Sequence, residues 1–327
     1  MPKCARPVRE GRTRNSARWR HHSGTASHFS LGAARLTTPT KTFYLEVMTM
    51  LKMRFPNGLK KAFTLSYDDN LVDDIRLMEI MQANGIKGTF NLSSGLYCGE
   101  DEDPGERWPR LTYKQAVEAY NKYGVEVAVH GYVHRDFTKI TEHELYLEIS
   151  LDKANLEREY NCVVRGAAYP YGSWNETAVH ALKHCGIKYC RTVWCDPNFT
   201  IPSGDGWLSL KATCHHDVPN LMELAKTFNE MDPREAKMFY VWGHTAEFRN
   251  KDNWHVIEEL CEFMGKCEGV WFATNIEICE YCLAYEKLEW STAPDTHMVY
   301  NPTAKEIWLE VWGDKVISVK PGETVKY

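Results

Sequence analysis

From Leu59 onward, short apolar runs of strand length alternate with longer segments whose apolar residues recur at helical spacing. That alternation is the signature of β-α-β units wound into a parallel sheet. Eight runs read as strands: residues 62–67, 88–92, 125–129, 166–169, 189–193, 208–213, 238–242 and 270–273. Seven or eight parallel strands with helices between them predict an α/β fold, a distorted β/α barrel. The helices carry their own boundary signals. Gly85 closes a helix over 71–84, and Thr141 with Glu144 forms a capping box at the start of the longest, where Leu145, Ile149, Leu156 and Tyr160 share a face. Asp217 and Pro219 are placed to open another helix over 220–231. After about residue 285 the pattern changes to strict alternation. Ile307, Leu309 and Val311 face one way, Gly313-Asp314 reads as a tight turn, and Ile317 and Val319 continue the pattern, predicting a small β-hairpin appendage over 286–327.

Polar groups appear where several of these strands stop. The first strand ends in Asp68 and Asp69. In parallel α/β architectures ligands gather at the C-terminal ends of strands, so a carboxylate pair there is a candidate site, although Asp69 could equally N-cap the following helix. The third strand runs into His130 and His134, whose spacing places two imidazoles on one side of a helical turn and suits a shared metal. Two His and one Asp leave positions open for water and substrate, as a catalytic site requires and a structural one does not. The fourth strand ends in Pro170-Tyr171-Gly172, a turn able to aim a backbone N–H inward, and the seventh ends in Gly243 and His244. Cys214-His215-His216 follows the sixth strand, where it either lines the site or caps the next helix.

Composition narrows the class. The chain has 327 residues and a net charge of -5, long enough for a large barrel core without disulfides and too acidic for an electrostatic footprint on nucleic acid. No run approaches the roughly 18 apolar residues of a membrane span. Eleven cysteines, without paired CxxC units, read as reduced thiols in a cytoplasmic setting. The first stretch differs from the rest. Residues 1–48 are rich in Arg, have Glu10 as the only acid before Lys41, and sustain no apolar period or signal-peptide core. They read as a disordered tail, a transit segment, or sequence upstream of a true start at Met48 or Met50. The catalytic domain is placed at 55–285. Nothing in the sequence fixes the oligomeric state.

The ordered set SYDD, HGYVH, YPYG and WGH resembles the polysaccharide deacetylase family, the NodB homology domain of carbohydrate esterase family 4. Within that family the chain looks closest to the divergent gellan-lyase-like subgroup. The resemblance implies a NodB-like β/α barrel that removes N- or O-acetyl groups from an acetylated carbohydrate. It further implies Asp68 as general base, Asp69, His130 and His134 as ligands of a divalent metal, Tyr171 as donor of a backbone N–H to the oxyanion, and His244 as general acid. The metal implied is zinc, with Co2+, Mn2+ or Ni2+ as alternatives. Such a set is chemically coherent: a metal acidifies water and polarises the carbonyl, while base and acid move protons on opposite sides of the reacting centre. Three departures stand out. Gly131 replaces the family's Ser or Thr, Ala168 stands where the family has the Arg that orients the base, and the fourth motif has only the Asp205 and Trp207 of GDGW to offer. Arg165 and Arg191 are the candidates to replace that guanidinium. Alternatives are a metal-independent, allantoinase-like amide hydrolase on the same fold, and a non-catalytic glycan-binding protein that uses Trp174, Trp194, Trp207 and Trp242 as stacking surfaces. A non-haem iron oxygenase fits the ligand types but not the β/α alternation.

Overall fold

The computed structural model describes residues 51–103, 105–293 and 296–327, so the basic extension placed at 1–48 lies outside the described residues. All eight expected strands form. In chain order they are β2 (Lys61–Asp68), β3 (Gly88–Leu92), β4 (Glu126–Val129), β5 (Gly166–Ala168), β6 (Tyr189–Cys195), the pair β7 (Leu210–Ala212) and β8 (Cys214–His215), β9 (Lys237–Gly243) and β10 (Val270–Phe272). Ahead of them runs β1 (Leu51–Arg54).

Every pairing among β2 to β10 is parallel. From β2 the sheet runs through β3, β4, β5 and β6 on one side and to β9 on the other. The expected strand over 208–213 is shorter, β7 at Leu210–Ala212, and the circle closes because β8 follows it directly: β7 pairs with β6, and β8 pairs with β9. At the junction the Thr213 N–H donates to the Tyr240 carbonyl at 2.7 Å. The result is a distorted barrel of seven staves, with β10 flanking the start of β2 at Lys61, Ala62 and Phe63.

Strand alternation decides what the barrel holds. Phe63, Leu65 and Tyr67 of β2 pack outward with Phe90, Val127, Val129 and the helices in the larger core. The residues between them, Thr64, Ser66 and Asp68, are buried on the opposite, inner face. A polar interior must be hydrogen-bonded throughout, and much of this one is. Near the bottom, Glu126 accepts from Thr89 and Tyr189 (2.7 Å each) and from the Ile276 N–H (2.9 Å) at the start of the helix Asn275–Tyr285. Asn275 links Thr64 to Tyr240 at 2.9 and 2.8 Å. Higher up, Asn91 donates to Ser66 (2.8 Å) and Asp68 (2.7 Å). Asp68 therefore sits at the top of an ordered polar column.

Two helix starts differ from expectation. The first helix is Asp74–Ala83, not 71–84, because the Asp74 carboxylate accepts the Leu71 N–H at 3.0 Å and ends the preceding turn there. Asp69 consequently caps nothing. The helix Leu221–Glu230 follows Asn220 without a side-chain cap, and Asp217 turns instead to Lys251. The capping box of Thr141 and Glu144 forms at the head of Glu142–Tyr160.

Beyond the barrel lie β11 (Glu289–Trp290), β12 (Met298–Tyr300), β13 (Ile307–Val311), β14 (Lys315–Val319) and β15 (Thr324–Lys326). The hairpin read at Gly313-Asp314 is β13–β14, and it takes β1 as a third antiparallel strand, with Leu51 opposite Val311. This strand comes from the N-terminal side and its four residues are too few to reveal a period. Arg54 of β1 is fully buried against Glu310, 2.7 Å away. A second small sheet joins β11, β12 and β15.

Candidate active site

Asp68, Asp69, His130, His134 and His244 come together at the C-terminal mouth of the barrel. β2 delivers the two aspartates, the turn after β4 the two histidines, and β9 His244. His134 Nε2 lies 3.7 Å from Asp69 Oδ1, and His130 Nε2 lies 3.9 Å from the same oxygen. His244 Nε2 faces Asp68 Oδ2 at 3.8 Å from the other side. Asp69, Asn70, His134 and Tyr171 all adopt positive φ (+83°, +47°, +57° and +59°), a left-handed backbone that non-glycine residues adopt at some cost. These turns aim the side chains back over the barrel axis.

The donors fit a metal. His130 Nδ1 donates to the Ala168 carbonyl at 2.9 Å, which leaves Nε2 with its lone pair toward Asp69. Separations of 3.7 to 3.9 Å among Asp69, His130 and His134 exceed a hydrogen bond. They are close to the ~3.3 Å edge expected of a tetrahedron of ligands about 2.0–2.1 Å from zinc. Burial, and then neighbouring His130, lower the pKa of His134 to about 4, so its imidazole is neutral near pH 7.

Asp68 is nearly sealed from solvent. Burial pushes its carboxyl upward, but Arg191 first, then His130, His244 and the Asn91 amide, outweigh it and bring the pKa down to about 2. Arg191 answers the question raised by Ala168. The two residues are paired partners on adjacent strands, so a guanidinium entering from β6 reaches the same carboxylate that one from β5 would reach. Its other face lies on Trp242, 4.3 Å from the ring centroid. Arg165 instead pairs with Glu280, away from Asp68.

Other bracing residues gave no signal by strand position. Asp152 and Glu148 project from the helix Glu142–Tyr160. Asp152 accepts the backbone N–H of His130 (3.0 Å) and of Ser94 (2.7 Å). Glu148 accepts the N–H of Val133 at 3.1 Å. Gly131 lies beneath, at φ +79°, where a Cβ would sit 3.1 to 3.3 Å from Phe137, Glu148 and Pro170. The loop that the family's Ser or Thr would brace is thus held from the helix. On the acid side, Glu247 Oε1 takes the Nδ1 proton of His244 at 2.8 Å. Burial disfavours the His244 cation, yet Glu247, followed by Asp68 and Asp69, raises its pKa above the ordinary value. The spacing His244-x-x-Glu247 was the available sequence signal. Trp108 covers His244 edge-on, with centroids 5.2 Å apart.

The GDGW segment stays out of the site: Asp205 is an exposed partner of Lys183, and Trp207 is buried in the second core. Tyr171 is largely exposed and sets its ring against His134, with centroids 4.7 Å apart. His215 and His216 neither cap a helix nor touch Asp69; they meet Glu247 behind His244.

None of the curated proteins compared matches the chain in sequence. Among solved structures, a Mycobacterium smegmatis protein assigned to the polysaccharide deacetylases shares the fold, with a TM-score of 0.53, 15% identity, and coverage of 72% of this chain and 94% of that one. A chitin deacetylase from Colletotrichum lindemuthianum aligns with a TM-score of 0.45 at 15% identity, over 67% of this chain and 87% of that one. The family 4 carbohydrate esterase from Streptomyces lividans, in complex with acetate, gives 0.42 at 15%, over 65% and 92%. None of these bears on the gellan-lyase-like subgroup. The family model described as polysaccharide deacetylase matches residues 56–190, from the turn before β2 into β6, and so takes in Asp68, Asp69, His130, His134 and Tyr171. The match covers less than half of the chain and leaves His244 outside it.

Proposed function

We propose that this chain is a metal-dependent hydrolase that removes acetyl groups from an acetylated carbohydrate, an N-acetyl amino sugar or an O-acetyl ester. The carrying observation is the opposed placement of a buried, charge-clamped Asp68 and a Glu247-bound His244 on either side of Asp69, His130 and His134. Asp69, His130 and His134 would hold the divalent ion, zinc by donor type, with Co2+, Mn2+ or Ni2+ as substitutes. When bound, such an ion supplies Lewis acidity toward a carbonyl oxygen and toward water.

The protein's own groups do the rest. Asp68, kept ionised by Arg191, accepts a proton from the attacking water. His244, kept protonated at Nδ1 by Glu247, carries a second proton on Nε2 and gives it to the departing amine or alcohol. The backbone N–H of Tyr171 stabilises the oxyanion. The family match and the convergence of Asp69, His130 and His134 support this reading over a metal-independent amide hydrolase or a silent glycan binder. The ten described cysteines are all free thiols, which fits a reducing, cytoplasmic compartment. Among the described residues no helix is long and apolar enough to cross a membrane.

The test is acetate release from a panel of acetylated sugars by purified protein, with and without chelator. Metal-restored release supports the assignment, and release indifferent to chelation overturns it.

A further inference from the structure

Behind His244 a second group of ligating side chains collects where β8 ends and the chain leaves β9. His215, His216, Asp217 and Glu247 each bring one nitrogen or oxygen atom within 4.8 Å of the others. His216 is the centre of the group. It is completely buried, stacked on Tyr67 (centroids 5.8 Å apart) and packed at a tilt against Phe248 (4.2 Å), and neither ring nitrogen has a hydrogen-bond partner. Its Nδ1 is pressed against Gly243, where even a Cβ would lie 2.0 Å away. Only Nε2 is left to interact, and it faces Asp217 Oδ1 at 3.4 Å and Glu247 Oε2 at 3.5 Å.

A fully buried imidazole with no partner is costly, and two carboxylates converging on it without good hydrogen-bond alignment do not relieve that cost. The separations do match the ~3.3 Å edge of a tetrahedron of nitrogen and oxygen ligands about 2.0–2.1 Å from zinc. They also resemble those of Asp69, His130 and His134. His215 is the peripheral member: its Nδ1 accepts the Asp217 N–H at 3.2 Å, and its Nε2 lies 3.6 Å from Glu247 Oε1. Lys251 contacts the far oxygen of Asp217, Oδ2, and lies 2.9 Å from Glu247 Oε2, the oxygen that also faces His216, so it is a second-sphere donor to both carboxylates.

We propose that His216, Asp217 and Glu247, with His215 beside them, hold a second divalent transition-metal ion, zinc by the imidazole and carboxylate donor set. Its effect is positional. An ion on Glu247 anchors the carboxylate that orients His244, and so ties the acid side of the site to the wall formed by β8 and β9. The proposal does not depend on what the enzyme hydrolyses.

Stoichiometry tests it. Full-length protein is stripped with chelator, dialysed against limiting-excess Zn2+, washed, and assayed for zinc by plasma mass spectrometry. Wild type should retain two ions per chain, His134→Ala one, Asp217→Asn one, and the double variant none. Asp217 is the residue to change because it is part-exposed, so the variant should fold, which a circular dichroism melt checks. Co2+ titration of the His134→Ala protein should give visible d–d absorption that Asp217→Asn removes. Wild type holding one ion that Asp217→Asn leaves in place overturns the second site, Lys251 and His244 then sufficing to balance the carboxylates. One ion lost in Asp217→Asn but kept in His134→Ala supports the second site and overturns the first.

Discussion

Replacing Arg191 by Met keeps the volume and removes the charge from a pair that is almost wholly out of solvent, with side-chain exposures of 1% for Arg191 and 3% for Asp68. What remains around the Asp68 carboxylate is one Asn91 amide and two imidazoles at 3.8 to 3.9 Å. Breaking a buried pair by removing one partner typically costs about 3–5 kcal/mol, because the survivor is an uncompensated charge. Loss of the stacking of the guanidinium on Trp242 adds about 0.5–2 kcal/mol. Urea unfolding should therefore show a loss of roughly 3.5–7 kcal/mol. Asp68→Asn alone should also destabilise, since it strands the guanidinium. The double variant should cost at least about 2 kcal/mol less than the sum of the singles, because neither charge is then left alone. Coupling below about 0.5 kcal/mol would refute the claim that Arg191 is the counter-charge that keeps Asp68 ionised.

Three further outcomes follow from particular contacts. Gly131→Ser, which restores the family's residue, should lose about 1–3 kcal/mol in thermal or chemical unfolding, since it combines positive φ with a Cβ crowded by Phe137, Glu148 and Pro170; a gain in stability would show that the loop relaxes. Asp74 is pushed up to about 7 by burial despite donors from Thr245, Tyr120 and Leu71, so its folded pKa lies above the unfolded value. Its contribution is then fully present below about pH 4 and lost as pH rises through 7, which predicts that stability of wild type relative to Asp74→Asn falls by up to about 4 kcal/mol between pH 4 and 8; a pH-independent difference would rule this out. His244→Ala should slow release from N-acetyl sugars by about 10²- to 10⁴-fold and from aryl acetates much less, because a phenolate leaves without a proton; equal losses would remove His244 from the acid role.

The barrel was legible because buried parallel strands between amphipathic helices leave a pattern in one dimension, and because four polar strand ends recur at the same place in that pattern. The residues that were not legible act from elements whose own pattern is satisfied by packing. Glu148 and Asp152 read as ordinary polar positions on a helix whose Leu145, Ile149 and Leu156 explain its burial. Glu247 is three residues beyond a recognised His, but only the fold turns that spacing into a 2.8 Å contact. β1 is four residues long, and its partner β13 lies more than 250 positions away along the sequence. Arg191 is the instructive case, because a position-by-position reading scores Ala168 as a loss. Parallel register makes the two positions neighbours, with alternation sending Ala167 and Cys190 outward to the helices and Ala168 and Arg191 inward. The quantity preserved is a guanidinium at Asp68, and the strand that supplies it is free to change. Arg191→Ala should thus lose most activity, and adding Ala168→Arg in the space vacated should restore at least tenfold of it along with part of the lost stability. Acetate release and urea unfolding measured on the two variants decide this. If the second substitution restores neither, Arg191 acts through more than its charge, the contact with Trp242 being the first candidate.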